Sequence, residues 1–261
     1  MLRPRYWFST LMNFRIVILA AGKGTRMRSD IPKTLTPIGG KPILQYLYES
    51  VVASGLNGDP IVVTGPERVR LCDAFGGSCE YAVQEEQLGT GHAVLASRDT
   101  VGEADALIVL YGDHPFISSQ TIRALAHRHQ ERGNTITLMT ARVPNFEGWR
   151  CVFARWGRMF RGADGHISRV VQYKDATDAE RDITEVDPAL YCFETSWLWE
   201  NLPRLKNENA QREYYLTDLI EMAAAQGKPL SSIDVAPEEV IGINTQEERE
   251  IAEAVLAKRY A

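Results

Sequence analysis

The stretch that decides the fold is FRIVILAAGKGTRM, at residues 14–27. Its first six residues, FRIVIL, predict a buried strand. The segment AAGKGT that follows, at 20–25, predicts a loop in which Gly22 and Gly24 allow the backbone to approach a ligand and direct N–H groups at phosphate oxygens. This loop contains no Gly-Lys-Ser/Thr and no G-x-G-x-x-G, so it is neither a Walker A loop nor a dinucleotide-binding fingerprint. Because tight turns also need glycine, the glycine pair alone leaves both interpretations open.

Downstream of this loop, apolar strand patterns alternate with helical patterns. Such alternation predicts an α/β fold with a Rossmann-like mixed, mostly parallel sheet flanked by helices. The predicted strands lie at 61–63, 106–111, 135–141, 167–171 and 190–193. The predicted helices cover 42–49, Ser118 or Ser119 to about 132, Thr217 to 225, and 245 toward 260, the last opened by a Thr245-Glu248 capping box.

The composition restricts the class of protein. The chain has 261 residues, of which 44% are hydrophobic and 24% are charged. These values are ordinary for a globular protein and exclude a disordered chain, a collagen-like repeat and a coiled coil. The formal net charge of -5 disfavours a general nucleic-acid-binding protein, but it is compatible with a site in which a few cations hold a small anion.

The cysteines and the apolar runs exclude further classes. Four widely separated cysteines, with no C-x-x-C pair and no clustered histidines, favour free thiols over a zinc site or a disulfide framework. No apolar run approaches the ~20 residues that span a bilayer. Residues 1–13 lack the apolar segment and cleavage site of a signal peptide and are interpreted as an N-terminal extension, with Met12 as an alternative start. We therefore expect a cytoplasmic protein with neither nucleic acid nor membrane as partner.

Beyond residue 144 the sequence interleaves aromatic residues with arginines. The residues concerned are Trp149, Arg150, Phe153, Arg155, Trp156, Arg158, Phe160 and Arg161. This pattern can indicate a nucleic-acid surface, but the acidic total favours arginine stems packed against aromatic rings.

Five motifs together resemble one enzyme family. They are LAAGKGTRM with IPKTL at 19–35, QEEQLGTGHAV at 84–94, LYGDHP at 110–115, YKDATDAE at 173–180 and EYYLTD at 213–218. The set resembles the sugar-1-phosphate nucleotidyltransferases, also called nucleoside-diphosphate-sugar pyrophosphorylases. In particular, it is similar to the uridylyltransferase half of the bacterial bifunctional UDP-N-acetylglucosamine pyrophosphorylase/glucosamine-1-phosphate acetyltransferases.

The resemblance extends from about Phe14 to Glu250. It implies one domain at 14–261, with a nucleotide-binding part at 14–143 and a sugar-binding part at 144–261. The sequence ends without hexapeptide repeats, so we expect no C-terminal β-helix and no acetyl-CoA-dependent activity.

The resemblance implies a reaction of UTP with a sugar 1-phosphate that gives a UDP-sugar and pyrophosphate. The attacking phosphate oxygen is already anionic and needs no general base, which agrees with the lack of a recognisable Ser/His/Asp or Cys/His constellation. By resemblance, Arg26 and Lys33 are the catalytic cations, and Asp113 and Asn244 hold Mg²⁺. The alternatives are solvated surface cations, a turn aspartate and a loop amide, respectively. For Lys23 neither interpretation is favoured.

The resemblance also assigns the nucleotide-binding residues. They are Leu19, Ala20, Ala21, Gly22, Gly24, Lys33, Gln84, Gly89, Thr90, Tyr111, Gly112 and Asp113. The amide of Gln84 both donates and accepts, which matches the imide edge of uracil, and Gly89 offers an unshielded N–H. The segment at 89–91 can also be a turn that caps a helix from His92, and both roles can hold at once. His114, like His92, is interpreted as a loop or capping residue rather than a ligand.

The sugar-binding residues that the resemblance implies are Gly157, Gln172, Asp187 and Asn244. Gln172 stands where the family has glutamate, and Asp187-Pro188-Ala189 stands where it has N-T-G. Pro188 also removes a backbone donor, and 145–155 resembles an insertion near the same site. The sequence therefore leaves open N-acetylglucosamine 1-phosphate or a related hexose 1-phosphate, a different NTP and sugar pair, and a catalytically silent homologue that binds nucleotide-sugars.

Overall fold

The structure is a computed structural model that describes residues 12–22, 24–27, 31–56 and 58–259. Within these ranges the strands are β1 (Phe14–Leu19), β2 (Pro37–Ile38), β3 (Lys41–Pro42), β4 (Ile61–Thr64), β5 (Glu80–Val83), β6 (Ala106–Tyr111), β7 (Ile136–Arg142), β8 (Gly157–Arg161), β9 (Ile167–Val171), β10 (Glu185–Asp187), β11 (Tyr191–Glu194) and β12 (Leu230–Asp234). The helices are α1 (Ile43–Ser54), α2 (Val69–Phe75), α3 (Thr90–Ala96), α4 (Arg98–Val101), α5 (Ser119–Arg132), α6 (Asp178–Arg181), α7 (Thr195–Asn201), α8 (Asp218–Ala225) and α9 (Gln246–Arg259). Helix α5 and strands β1, β6 and β9 have the predicted bounds.

Ten of the described strands form one mixed sheet. Their order is β5-β4-β1-β6-β11-β7-β10-β8-β9, with β12 paired to β7. Strands β5, β4, β1 and β6 are parallel to one another, and β11 is inserted antiparallel between β6 and β7. The pairings give seven strands one direction and β9, β10 and β11 the other. The predicted mixed, mostly parallel α/β sheet is therefore confirmed.

Both faces of β1 are buried, which requires helices on both faces of the sheet. Ile16 and Ile18 point to one core, which also contains the buried sides of α1 and α5. Val17 and Leu19 point to the other, which contains those of α7 and α8. This alternation is the two-residue period of a strand. Among the described helices, none combines the length and apolar character needed to cross a bilayer.

The structure corrects the predicted bounds of α1. Predicted over 42–49, this helix extends to Ser54 because its buried side continues through Val51. Gly55, at φ 68°, then ends it in the left-handed conformation that glycine adopts without strain. Pro42 precedes the helix instead of forming its first turn.

Two of the three predicted helix caps are present. The hydroxyl of Ser118 accepts a hydrogen bond from the backbone N–H of Thr121 at 3.1 Å, which decides between the two candidate serines. Thr245 and Glu248 form the reciprocal capping box, with bonds of 3.2 and 3.0 Å. Thr217 directly precedes α8, but its side chain makes no capping bond.

Four strands of the sheet were not predicted: β5, β8, β10 and β12. Strands β5 and β10 have four and three residues. Strands β8 (GRMFR) and β12 (LSSID) carry charged or hydroxyl side chains along their length. These sequences have neither a long apolar run nor clear alternation, so the partners in the sheet determine them.

The aromatic and arginine residues before β8 pack on one another around Arg158. Its side chain is buried and donates to the carbonyl oxygens of Trp156 at 2.6 Å and Ala154 at 2.8 Å. Its guanidinium lies 4.5 Å from the centre of the Phe146 ring. Packing of an arginine stem, which the sequence favoured, thus fixes the backbone on either side of Arg155.

Candidate active site

A cleft of about 990 Å³ opens where β1, β5 and β6 end. Because these strands are parallel, their carboxyl ends meet at one edge of the sheet, where α/β proteins bind ligands. The described residues that line it are Leu19, Ala20, Ala21, Gly22, Gly24, Arg26, Lys33, Thr34, Gln84, Gln87, Gly89, Thr90, Ala93, Tyr111, Asp113, Arg155, Gln172, Tyr173, Lys174, Gln211, Glu213 and Asn244.

Of the predicted site residues, only Gly112, Gly157 and Asp187 do not line this cleft. Gly112 lies directly beneath it, where a Cβ atom would stand 3.3 Å from the carbonyl oxygen of Leu19. Lys23 lies outside the described residues. The structure therefore gathers residues from both predicted parts of the chain around one cavity.

The two glycines of the first loop have different surroundings. Gly22 is exposed, and a Cβ there would meet nothing within 4 Å. Gly24 has a φ of 60°, and a Cβ there would lie 2.9 Å from the Cβ of Lys33. Gly24 thus allows the loop to pass against Lys33, whereas Gly22 leaves the backbone open to a ligand.

Lys33 connects the residues that the resemblance assigns to the metal. Its Nζ donates to Asp113 Oδ2 at 2.7 Å and to Asn244 Oδ1 at 2.9 Å. Arg26 donates to the same Asn244 oxygen at 3.3 Å. The side chains of Lys33 and Asp113 are 14% and 10% exposed, so this ion pair is well shielded from solvent.

Backbone contacts explain how Asn244 reaches Asp113 from a distant part of the sequence. The N–H of Ile243 donates to the carbonyl oxygen of Asp113 at 3.0 Å. The carboxylate of Glu248, at the start of α9, accepts the N–H of Asn244 at 2.6 Å. The first turn of α9 therefore holds the Asn244 backbone beside the end of β6.

The negative charge of Asp113 is strongly stabilised. Burial alone would raise the pKa of this carboxyl group, but the positive charge of Lys33 and the contact with His114 outweigh burial and hold the pKa well below its usual range. His114 Nδ1 lies 3.1 Å from Asp113 Oδ1. The carboxylate is therefore ionised throughout the physiological pH range.

The Asp113 and Asn244 oxygens fit a hard divalent cation. Both converge on one positively charged atom, the Nζ of Lys33. Mg²⁺ prefers such oxygens and needs only one or two protein ligands, because water and phosphate complete its octahedron. The described part of the chain has no group of three or more His, Cys, Asp or Glu side chains that could hold a metal ion. A cation at this point would therefore take its remaining ligands from water or from a bound phosphate.

At the other end of the cleft, Gln84 directly follows β5. Its side chain is buried, and its Nε2 donates to the carbonyl oxygen of Gly89 at 3.0 Å and lies 3.2 Å from His92 Nδ1. These contacts fix the amide plane and occupy its nitrogen, whereas Oε1 takes no part in them. Gln84 can thus offer an oriented acceptor to a ligand.

Gly89 and Thr90 are held by the segment that follows α7. Gly89 has a φ of 114°, and a Cβ there would lie 2.7 Å from the backbone nitrogen of Tyr214, so only glycine fits. The hydroxyl of Thr90 accepts the N–H of Leu216 at 3.0 Å. Helix α3 begins at Thr90 rather than at His92, so the glycine turn serves as its start while lining the cleft.

Of the predicted sugar-binding residues, Gln172 and Asn244 line the cleft, whereas Gly157 and Asp187 do not. Gln172 lines the cleft, and its amide donates to the Thr217 hydroxyl at 3.3 Å. Gly157 and Asp187 pair with each other between β8 and β10. Asp187 is buried and accepts a hydrogen bond from the Tyr191 hydroxyl, and burial raises its pKa to about 6. Asp187 therefore supports the wall of the cleft from behind.

Eight lining residues were not predicted from the sequence. They are Thr34, Gln87, Ala93, Arg155, Tyr173, Lys174, Gln211 and Glu213. Gln87, Lys174 and Glu213 belong to quoted motifs, so membership of a motif could have identified them. Arg155 and Gln211 belong to none, and only the folded chain brings them to the cleft.

Comparisons with known proteins agree with this arrangement. The bifunctional protein GlmU of Geotalea uraniireducens (strain Rf4) is 43% identical over 246 residues, which cover 93% of this chain and 52% of that protein. The bifunctional protein GlmU of Exiguobacterium sibiricum is 39% identical over 251 residues, which cover 95% of this chain and 54% of that protein. The chain thus spans about half the length of the curated relatives it matches.

The fold is shared with more distant structures. The crystal structure of UDP-glucose pyrophosphorylase complexed with UDP-glucose superposes with a TM-score of 0.75 at 19% identity, covering 95% of this chain and all of the other. A putative glucose-1-phosphate thymidylyltransferase from Bacillus anthracis superposes with a TM-score of 0.74, also at 19% identity, covering 93% and 94%. At this identity the likeness shows the fold alone.

The sheet and its glycine-lined, cationic cleft define an α/β protein with a nucleotidyltransferase fold. The model of the MobA-like NTP transferase domain matches residues 16–222. The chain belongs to this family, and the resemblance to nucleotidyltransferases of the sugar-1-phosphate class is confirmed at this level.

Proposed function

We propose that this chain transfers a uridylyl group from UTP to a sugar 1-phosphate, N-acetylglucosamine 1-phosphate or a related hexose 1-phosphate, and releases pyrophosphate. One observation carries the proposal: Arg26, Lys33, Asp113 and Asn244 meet within hydrogen-bonding distance. They do so in a cleft that is also lined by the oriented amide of Gln84. This arrangement suits a nucleoside triphosphate with its base and its phosphates at opposite ends.

The reaction needs positioning and charge stabilisation rather than proton transfer. A phosphate oxygen of the sugar 1-phosphate forms a bond to the α-phosphorus of UTP. The bond from that phosphorus to the oxygen bridging to the β-phosphate breaks, and its electron pair leaves with pyrophosphate. Arg26 and Lys33 would stabilise the negative charge on the transferring and leaving phosphates, which is the main requirement of phosphoryl-type transfer.

Asp113 and Asn244 would hold a Mg²⁺ ion in this reaction. The ion would supply positive charge that stabilises the phosphate groups in the reaction. Because Lys33 contacts both oxygens, it would have to release them when the ion binds and would then be free to contact phosphate.

The orientation of Gln84 supports a preference for uracil. With its nitrogen donating to Gly89, Gln84 has Oε1 available for the N3–H donor of uracil. Cytosine has an unprotonated acceptor at the same position, so it would face the Gln84 oxygen with a lone pair. This repulsion would discriminate UTP from CTP.

Pyrophosphate release from a panel of NTPs and sugar 1-phosphates with Mg²⁺ tests the proposal. We expect turnover with UTP and one or a few hexose 1-phosphates. Asp113→Ala should abolish turnover and keep the fold, whereas Asp73→Ala, an exposed position on α2 outside the cleft, should have no effect. Binding of UDP-sugars without turnover under any condition would contradict the proposal and favour a silent homologue. Full activity of Asp113→Ala would refute the metal assignment.

A further inference from the structure

The charges that line the cleft are unevenly distributed. The described lining residues contribute four cations, Arg26, Lys33, Arg155 and Lys174, and two carboxylates, Asp113 and Glu213. The whole chain, in contrast, has a net charge of -5. The cleft is therefore a local concentration of positive charge in an acidic protein, and such concentration raises the local population of anions.

Only two of these cations have partners among the residues that the structure describes. Arg26 and Lys33 donate to Asn244, and Lys33 also pairs with Asp113. Within the described residues, the side chains of Arg155 and Lys174 make no hydrogen bond, ion pair or ring contact. Burial raises the pKa of the Glu213 carboxyl group, and the positive charge of Lys174 partly lowers it again. The two side chains do not form an ion pair.

Arg155 and Lys174 lie at the same end of the β8–β9 pair. The last registered pair at this end joins Arg158 to Val171. Arg155 lies three residues before Arg158 in the sequence, and Lys174 lies three residues after Val171, so both extend from the same end of the pair. Two like charges at one end of a hairpin repel each other, and Glu213 offsets the charge of Lys174 without forming an ion pair with it. An anion bound between the two cations would be attracted by both.

Under the proposed function, this end of the hairpin serves the second substrate rather than the nucleotide, because the resemblance assigns Gln172 to the sugar. Gln172 lines the cleft on the same segment as Lys174. Trp156, next to Arg155, has its ring 5.5 Å from that of His114, which adjoins Asp113. The residues assigned to the triphosphate come from the loops after β1 and β6 instead, and they have their own cations.

We infer that Arg155 and Lys174 form an anion subsite that binds a negatively charged group of the sugar-phosphate substrate. This inference rests on the proposed function and names the chemistry by which that site would select its second substrate. The group is either the 1-phosphate itself or an acid group carried by the sugar ring, since a guanidinium and an ammonium bind both.

Calorimetric titration tests the subsite without requiring turnover. The wild type, Arg155→Gln, Lys174→Gln and the double variant are each titrated with N-acetylglucosamine 1-phosphate and with glucuronic acid 1-phosphate, in the presence of UTP and EDTA. Arg68→Gln and Lys228→Gln, exposed and outside the cleft lining, are matched controls. Thermal unfolding verifies that every variant is folded.

We expect each single substitution to weaken binding about tenfold, as for the loss of one hydrogen bond between charged groups. Equal losses for both ligands would identify the 1-phosphate as the bound group, and a loss confined to the glucuronic acid derivative would identify the ring carboxylate. Unchanged affinity of the double variant for both ligands, or a wild type that binds neither, would overturn the subsite. Absence of turnover in the NTP panel, by contrast, would refute the proposed reaction and leave these affinities measurable.

Discussion

Replacing Lys33 with methionine should strengthen, not weaken, the binding of a divalent cation to the nucleotide-free protein. In the structure, the Lys33 ammonium lies 2.7 Å from Asp113 Oδ2 and 2.9 Å from Asn244 Oδ1. A metal ion that uses these oxygens must displace it. Methionine is about as long and unbranched as the lysine stem but carries no charge, so Lys33→Met removes the competitor with little change in packing.

The contacts around Lys33 give the size of the effect. A hydrogen bond to a charged group contributes about 1.5–3 kcal/mol, and the low exposure of this pair, 14% and 10%, limits its screening by solvent. Losing one such bond on metal binding corresponds to a tenfold to hundredfold weaker affinity, at about 1.4 kcal/mol per factor of ten. The methionine variant also leaves Asp113 as an uncompensated buried charge, which a cation would neutralise. We therefore expect the Kd to fall by about 10- to 100-fold.

Electron paramagnetic resonance of free Mn²⁺ measures this Kd directly in the absence of nucleotide. Measurement at pH 8 keeps Asp113 ionised in the variant, whose carboxyl pKa rises once Lys33 is gone. Lys228→Met is the control for an exposed lysine, and Asp113→Asn should abolish the site in both backgrounds. Turnover of Lys33→Met should fall even as its metal affinity increases. An unchanged or weaker Mn²⁺ affinity in a folded Lys33→Met protein would refute the competition.

Two further predictions concern other parts of the cleft. Gln84→Ala should lower the ratio of kcat/KM for UTP to that for CTP, because the oriented Oε1 acceptor is lost; a ratio equal to that of the wild type would count against uracil recognition by Gln84. Asp187→Asn should change the pH dependence of stability. The pKa of Asp187 is about 6 in the fold against an ordinary 3.8, so the folded state binds the proton more tightly and wild-type stability falls as the pH rises from about 4 to about 6. That difference corresponds to about 3 kcal/mol at most. The stability of Asp187→Asn relative to wild type should therefore increase over this window and then level off, and a Tm difference that is the same at pH 4 and pH 7 would contradict the assignment.

The strands that could be predicted are those whose burial is indicated by a continuous apolar run in the sequence. FRIVIL and ALIVLY are continuous apolar runs because β1 and β6 lie inside the sheet with both faces covered. Strand β12 (LSSID) has no such pattern, since its side chains are only partly buried or exposed. Its place beside β7 follows from tertiary pairing, which local sequence does not encode.

The candidate site, like the fold, has one part that could be predicted from the sequence and one part that could not. The glycine loop and Lys33 are close in sequence, so their proximity could be expected from spacing. The meeting of Asp113 with Asn244 could not, because it depends on a single backbone contact between Ile243 and Asp113 and on the first turn of α9. The pair was identified from the family resemblance, and its role in holding a metal ion stays a prediction.

The net charge of the chain and the local charge of the cleft lead to different conclusions about which anions this protein binds. A net charge of -5 disfavours a surface for polyanions, because such a surface needs cations spread over a wide face. A substrate with a few phosphates needs only a small enclosed set, and the backbone can assemble it from distant segments. Gly24 at φ 60° admits Lys33, and the hairpin end places Arg155 with Lys174. The chemistry of the cleft therefore depends on where the cations are placed, and removing one exposed lysine elsewhere, such as Lys228, should leave it unchanged.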